Sequence, residues 1–191
     1  SGDTLAGVSG GTEWSRLFIT GELVVIRCIV ANTTWVIESD GRIPMQGWIE
    51  LSTAATTNTA NTFVYATANG GAWTAKRNVG NVVDTATDKI TMRRACHATI
   101  AVGMRTNSTM GDGEYVNAGA ELNGSAGSYA SNQFFVMGRP GGGLNGQIIG
   151  VGEYTFAAGD YVRHMFRTEA ANKGMVNSTS SMMPVYEVLS R

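Results

Sequence analysis

The chain has 191 residues, 43% of them apolar and only 15% charged, with 14 basic against 15 acidic side chains and 25 glycines. That apolar fraction fills a sizeable core and excludes an acidic disordered chain, while charge well below the roughly 25% of an ordinary soluble domain leaves Thr, Asn, Ser and Gly to face water. The densest basic runs are the pairs Lys76-Arg77 and Arg93-Arg94, so no basic stripe marks a nucleic-acid partner, and no apolar run approaches the ~18 residues that membrane insertion needs.

In chain order the pattern is one of strands separated by Gly, Asn and Asp clusters. Strands are expected at 17–20, 22–30, 35–38 and 47–51, with Asp40-Gly41 as a turn between the third and fourth. Residues 52–61 hold no large apolar side chain and read as a surface connection. After a short strand at 63–66, Trp73 falls in Gly- and Ala-rich sequence that reads as a loop.

The clearest strand starts at Ile90. Every second residue gives Ile90, Met92, Arg94, Cys96, Ala98, Ile100, Val102 and Met104, an apolar face broken only by Arg94. The odd positions are small or polar and point to solvent or a neighbouring subunit. So long a run predicts a bend near Arg94 or Ala95. Strands at 116–122 and 133–137 follow, then a glycine-rich excursion over 138–146 that carries Arg139. A hairpin of 147–156 and 161–167 is expected around Ala157-Ala158-Gly159-Asp160, and a last strand at 183–189, which Pro184 places at a sheet edge or strand start. The only stretch with helical flavour, 167–173, lacks an apolar stripe.

From about Ile90 to the C-terminus, this order of elements resembles the C1q/TNF-like family. The resemblance rests on the strand 98–104, the strand 116–122 ending in Asn123-Gly124, the turn carrying Gly159-Asp160, and the closing strand 183–189. It implies an all-β, two-sheet antiparallel jelly-roll sandwich that assembles as a homotrimer, here with extra N-terminal strands. Residues 1–62 are accordingly expected to be a β-rich arm or collar, and 63–191 the jelly roll. The charge-poor composition, and the absence of a collagenous Gly-X-Y arm, resemble the phage tail-needle and fibre knobs of this fold.

Chemistry is harder to find. Cys28 and Cys96 sit in apolar runs and read as buried free thiols, with a disulfide between them left open. His97 and His164 lack the spacing of a metal site and read as structural, so neither a metal nor a cofactor is expected. No nucleophile motif is present. Asp112 and Glu114 are the one carboxylate pair that a glycan-degrading rival could use. The preferred reading is not an enzyme but a virion-surface protein, a fibre or tail-tip knob that contacts other virion proteins and binds a host-surface receptor, a glycan before a protein. A capsid decoration protein with no receptor role is the alternative. Trp73, Tyr129 and Arg139 are the expected receptor contacts, since ring faces stack on sugar C–H groups. Tyr161, Phe166 and Tyr186 are expected in the core or the trimer interface.

Overall fold

The computed structural model describes residues 4–6, 19, 21–30, 34–57, 59–106, 115–124, 133–138, 147–170, 173–175 and 178–189. The first strands, β1 (Thr4–Ala6), β2 (Leu23–Val30) and β3 (Thr34–Gly41), form a small sheet of their own, with β3 parallel to β1 and antiparallel to β2. Asp40 and Gly41 lie within β3, paired with Val24 and Leu23, so the expected turn there is absent. There follow β4 (Gln46–Thr53), β5 (Ala55–Thr56), β6 (Ala72–Val79), β7 (Val83–Asp84), β8 (Lys89–Thr91), β9 (Cys96–Arg105), β10 (Val116–Leu122) and β11 (Gln133–Gly138). The last are β12 (Gln147–Phe156), β13 (Tyr161–Thr168), β14 (Gly174–Met175) and β15 (Met182–Val188).

Two five-stranded sheets make the sandwich, one in the order β12-β9-β15-β4-β6 and the other β11-β10-β13-β8-β7. From β4 onward the chain passes back and forth between them, which is jelly-roll winding. Because β4 pairs with both β15 and β6 inside the first sheet, the sandwich includes Gln46 onward and does not begin at residue 63.

The alternation read from Ile90 holds. Cys96, Ala98, Ile100, Val102 and Met104 of β9 are buried in the core, and the chain breaks between β8 and β9 around Arg93 and Arg94. From the other sheet Ile90, Val116, Ala118, Val162 and Phe166 pack against them. The buried Cys96 is a free thiol whose pKa burial pushes up to about 12, which leaves it inert. Cys28's side chain lies outside the described residues.

Three expectations fail for physical reasons. The strands flanking 157–160 do not form a hairpin: β12 pairs with β9 and β13 with β10 and β8, so the turn crosses from one sheet to the other. Pro184 is in a central strand, where the pairing of β15 with β9 passes from Met182↔Gly103 to Val185↔Ile100, and its missing N–H falls in that gap. At 63–66 only Val64 pairs, with Phe166, before a 3-10 turn at Thr67–Asn69.

The two turn motifs behind the family resemblance meet in space. Asn123, at φ 50, donates from its side chain to Asp160 and accepts from the Tyr161 N–H at 2.8 Å. The sheets also approach closely at Gly47 of β4, where a Cβ would lie 2.6 Å from Ile90 Cγ2. Gly47→Ala should therefore cost about 1–3 kcal/mol through overpacking, measured as a lowered urea midpoint.

Candidate functional site

The residues that line the outside of the first sheet follow from its register. Ile149 and Val151 of β12 lie opposite Gly103 and Ala101 of β9. On the other side of β9, β15 presents Tyr186 opposite Thr99 and Val188 opposite His97. Next along, β4 sets Trp48 opposite Pro184 and Gln46 opposite Tyr186. The centre of this surface therefore carries Ile149, Val151, Ala101, Pro184 and Tyr186 around Thr99, with Glu153 of β12 directly opposite Thr99.

Charged groups border its apolar side chains. Glu153 is exposed on β12, two residues along from Val151 and opposite Thr99, and Arg77 of β6 lies opposite Trp48. Lys76 of β6 reaches Glu50 of β4 at 3.1 Å on the far side. His97 is exposed, with Nδ1 2.9 Å from the Thr155 hydroxyl. Val151 is 62% exposed, Ile149 48% and Val188 47%. The inward faces of these strands already complete a core, so the outward apolar side chains are surplus to folding. Exposed apolar side chains of that kind are suited to an interaction surface.

Directly behind it lies a buried ion cluster. Arg94 Nε and Nη2 donate to the two Glu187 carboxylate oxygens, both at 2.8 Å, Nη1 donates to Glu22 at 2.7 Å, and Nη2 also donates to the Ile43 carbonyl at 2.8 Å. The carboxylates accept backbone N–H groups as well: Glu22 from Ile19 and Ile43, and Glu187 from Met45 at 2.7 Å. Burial works against the guanidinium's charge, but hydrogen bonds to Glu187 and Glu22 outweigh it and raise its pKa. The cluster accounts for the one charged residue on the apolar face of the Ile90 run. It ties the segment around residues 19–45 to β15 and to the turn before β9.

No family model matches the chain, and no curated protein does. Solved structures do match. Eiger TNF from S. frugiperda superimposes with a TM-score of 0.55 at 7% identity, over 78% of this chain and 96% of its own. Murine APRIL at pH 8.0 gives a TM-score of 0.53 at 6% identity, over 76% of this chain and 100% of its own. A zebrafish complement 1qA globular domain gives 0.46 at 9% identity, over 77% and 98%. The fold is the TNF-type jelly roll.

Within that jelly roll the expected site residues separate. Tyr186 sits half-buried on the outer surface of the first sheet. Phe166 is core, fully buried between the sheets. Tyr161 is outside the core. It lies on the outside of the second sheet with Lys89 Nζ 4.1 Å above its ring, because its neighbour Val162 takes the inward position. Trp73 is a correction. It belongs to strand β6, is 5% exposed and packs against the His164 ring at 5.1 Å between centroids, so its ring is closed to a receptor. Tyr129, Arg139, Asp112 and Glu114 lie outside the described residues.

Sequence reasoning did not single out Ile149, Val151 or Val188. The alternation of β12 was available, but Ile148 and Ile149 are equally apolar, so periodicity could not say which side met a partner. Among the described residues no cluster of His, Cys, Asp and Glu is arranged to hold a metal, and no helix is long and apolar enough to cross a membrane.

Proposed function

We propose that this chain is a virion-surface protein, the knob of a phage fibre or tail tip, which assembles as a homotrimer and attaches to a host-surface receptor, a glycan in the first instance. The observation that carries this reading is the set of exposed apolar side chains on the outer surface of the first sheet. Exposed Ile149, Val151 and Val188 there have no role in the protomer's own core. Three copies of one jelly roll meeting through such surfaces would cover them. The TNF-type fold supports a role in contact rather than catalysis. The charge-poor, Gly-, Thr- and Asn-rich composition supports a place on a virion. The exposed Leu23 and Val25 of the N-terminal sheet are suited to meeting other virion proteins.

Sedimentation equilibrium on the full chain tests the assembly. The wild type should be trimeric at micromolar concentration, and Val151→Glu should shift it to monomer by at least about tenfold in dissociation constant, since burying an unpaired carboxylate is strongly unfavourable. A wild-type monomer overturns the reading. Binding of labelled trimer to intact host cells distinguishes a receptor role from a purely structural place in the particle.

A further inference from the structure

On the other side of the sandwich, where β10 begins and β13 ends, a cleft of about 210 Å³ opens between Asn61, Tyr115, Asn117, Arg167 and Glu169. We infer that this cleft is a binding site for one neutral sugar ring. The inference rests on the reading of the chain as a glycan-binding knob only in making that sugar the receptor; the cleft's chemistry stands by itself.

Three segments of the chain hold its lining in place. The Glu169 N–H donates to the Tyr115 carbonyl at 3.0 Å, and the Tyr115 N–H donates back to Glu169 Oε2 at 2.9 Å. Asn117 and Arg167 are directly opposed in the β10–β13 ladder, and Arg167 Nε donates to Asn117 Oδ1 at 3.2 Å. The Arg167 guanidinium is also within 5.0 Å of the Phe63 ring centroid. Asn61, at φ 56, is fixed by its N–H to the Thr168 carbonyl at 2.8 Å. The side chains are thus positioned before any ligand arrives, which lowers the ordering cost of binding.

Several polar atoms at the cleft are still uncommitted. Among the described residues, the Asn61 carboxamide, Asn117 Nδ2 and Glu169 Oε1 have no partner. Asn117 is only 7% exposed and still lines the opening. A largely buried amide with an unused donor facing a cleft is a polar group that a ligand would satisfy.

The chemistry selects the ligand class. One guanidinium and one carboxylate cancel, so neither an anion nor a cation is favoured. The uncommitted atoms comprise a donor, an acceptor and an amide that is both, which suits hydroxyl groups that donate and accept in turn. The half-buried Tyr115 adds an aromatic ring for sugar C–H groups. The volume is below the roughly 300–1,000 Å³ of pockets that enclose drug-sized ligands, which matches one ring of a chain rather than a whole oligosaccharide. The site is on the second sheet, so it stays open when the first sheet's outer surface is covered by other copies.

The test is saturation-transfer NMR on the full chain with the methyl glycosides of glucose, galactose, mannose and N-acetylglucosamine, binding being expected near about 1 mM for a single ring. Asn61→Ala and Glu169→Gln should each weaken the bound sugar about fivefold, the loss of one ordinary hydrogen bond, while leaving the trimer intact. Absence of transfer to all four glycosides, or unchanged transfer in both variants, overturns the site. Preference for the methyl glycoside of sialic acid overturns the neutral class. If the variants lose the sugar but still attach to host cells, the cleft binds a sugar that is not the receptor. If the wild type binds the sugar but attaches to no cell, the site stands and the receptor reading falls.

Discussion

Replacing Arg94 with methionine should remove about 3–5 kcal/mol of stability, because it leaves two buried carboxylates facing each other without their cation. The Arg94 and Glu22 side chains are fully buried and Glu187 nearly so. Backbone N–H groups would still reach both acids, but neither would have a charged partner. The variant should consequently recover stability as pH falls, since protonation relieves the acids in the folded chain. Arg94→Lys should rescue little, as an ammonium cannot bond both oxygens of Glu187 while also reaching Glu22 and the Ile43 carbonyl. Urea denaturation at several pH values measures the loss. Hydrogen exchange at the Met45 amide, bonded to Glu187 at 2.7 Å, shows whether the segment before β4 has come away. A destabilisation below about 1 kcal/mol would remove the cluster from the forces that hold the fold.

The wild-type protein should lose about 3 kcal/mol of stability through a single histidine as pH falls from 6.5 to 4. His164 is completely buried against Trp73, and burial lowers its pKa to about 4, although the hydrogen bond to the Gly103 carbonyl at 3.0 Å opposes this. Above pH 6.5 the imidazole is neutral in both folded and unfolded chains and no stability is lost. Below that, the unfolded chain takes up a proton that the folded one refuses, so stability falls by about 1.4 kcal/mol per pH unit until the folded ring also protonates near pH 4. Asp88 acts in the opposite sense: burial raises its pKa, despite hydrogen bonds from Thr67, so its contribution grows as the solution becomes more acid. Ordinary carboxylates titrate mainly below about pH 5 and Asp88 is common to wild type and variant, so the difference between their slopes from 6.5 to 5 isolates the histidine. Urea midpoints there should slope for wild type and flatten for His164→Gln. Equal slopes would show that His164 does not control the acid sensitivity.

Legibility of the fold in the sequence followed the strength of alternation. The Ile90 run stated its inward side, its break at Arg94 and the boundaries of β9 to within a few residues, because a strand buried on one side repeats every two residues. β6 was missed for the converse reason. It is an edge strand whose Thr74 to Asn78 are all exposed, so Trp73 stood alone among small residues and read as a loop anchor. The false hairpin around Gly159-Asp160 has another cause. A short glycine turn between strands is compatible with pairing or with crossing, and only long-range packing decides between them. The same limit applies to the candidate site. Tyr186 stood in a strand that alternation had already drawn, whereas Asn61, Tyr115 and Glu169 converge from segments more than fifty residues apart and carry no local motif.

The first sheet ends in two very different borders. On one, β6 carries Lys76 and Arg77 in its exposed stretch, and a strand added there would have to strip water from both cations. On the other, β12 begins Gln147-Ile148-Ile149-Gly150-Val151-Gly152, with no ionised group until Glu153. A ladder recruited at random would stop at the first border, so growth by successive strand addition cannot run through the molecule. Such lopsided protection works against open-ended filaments in a protein that carries so few charges.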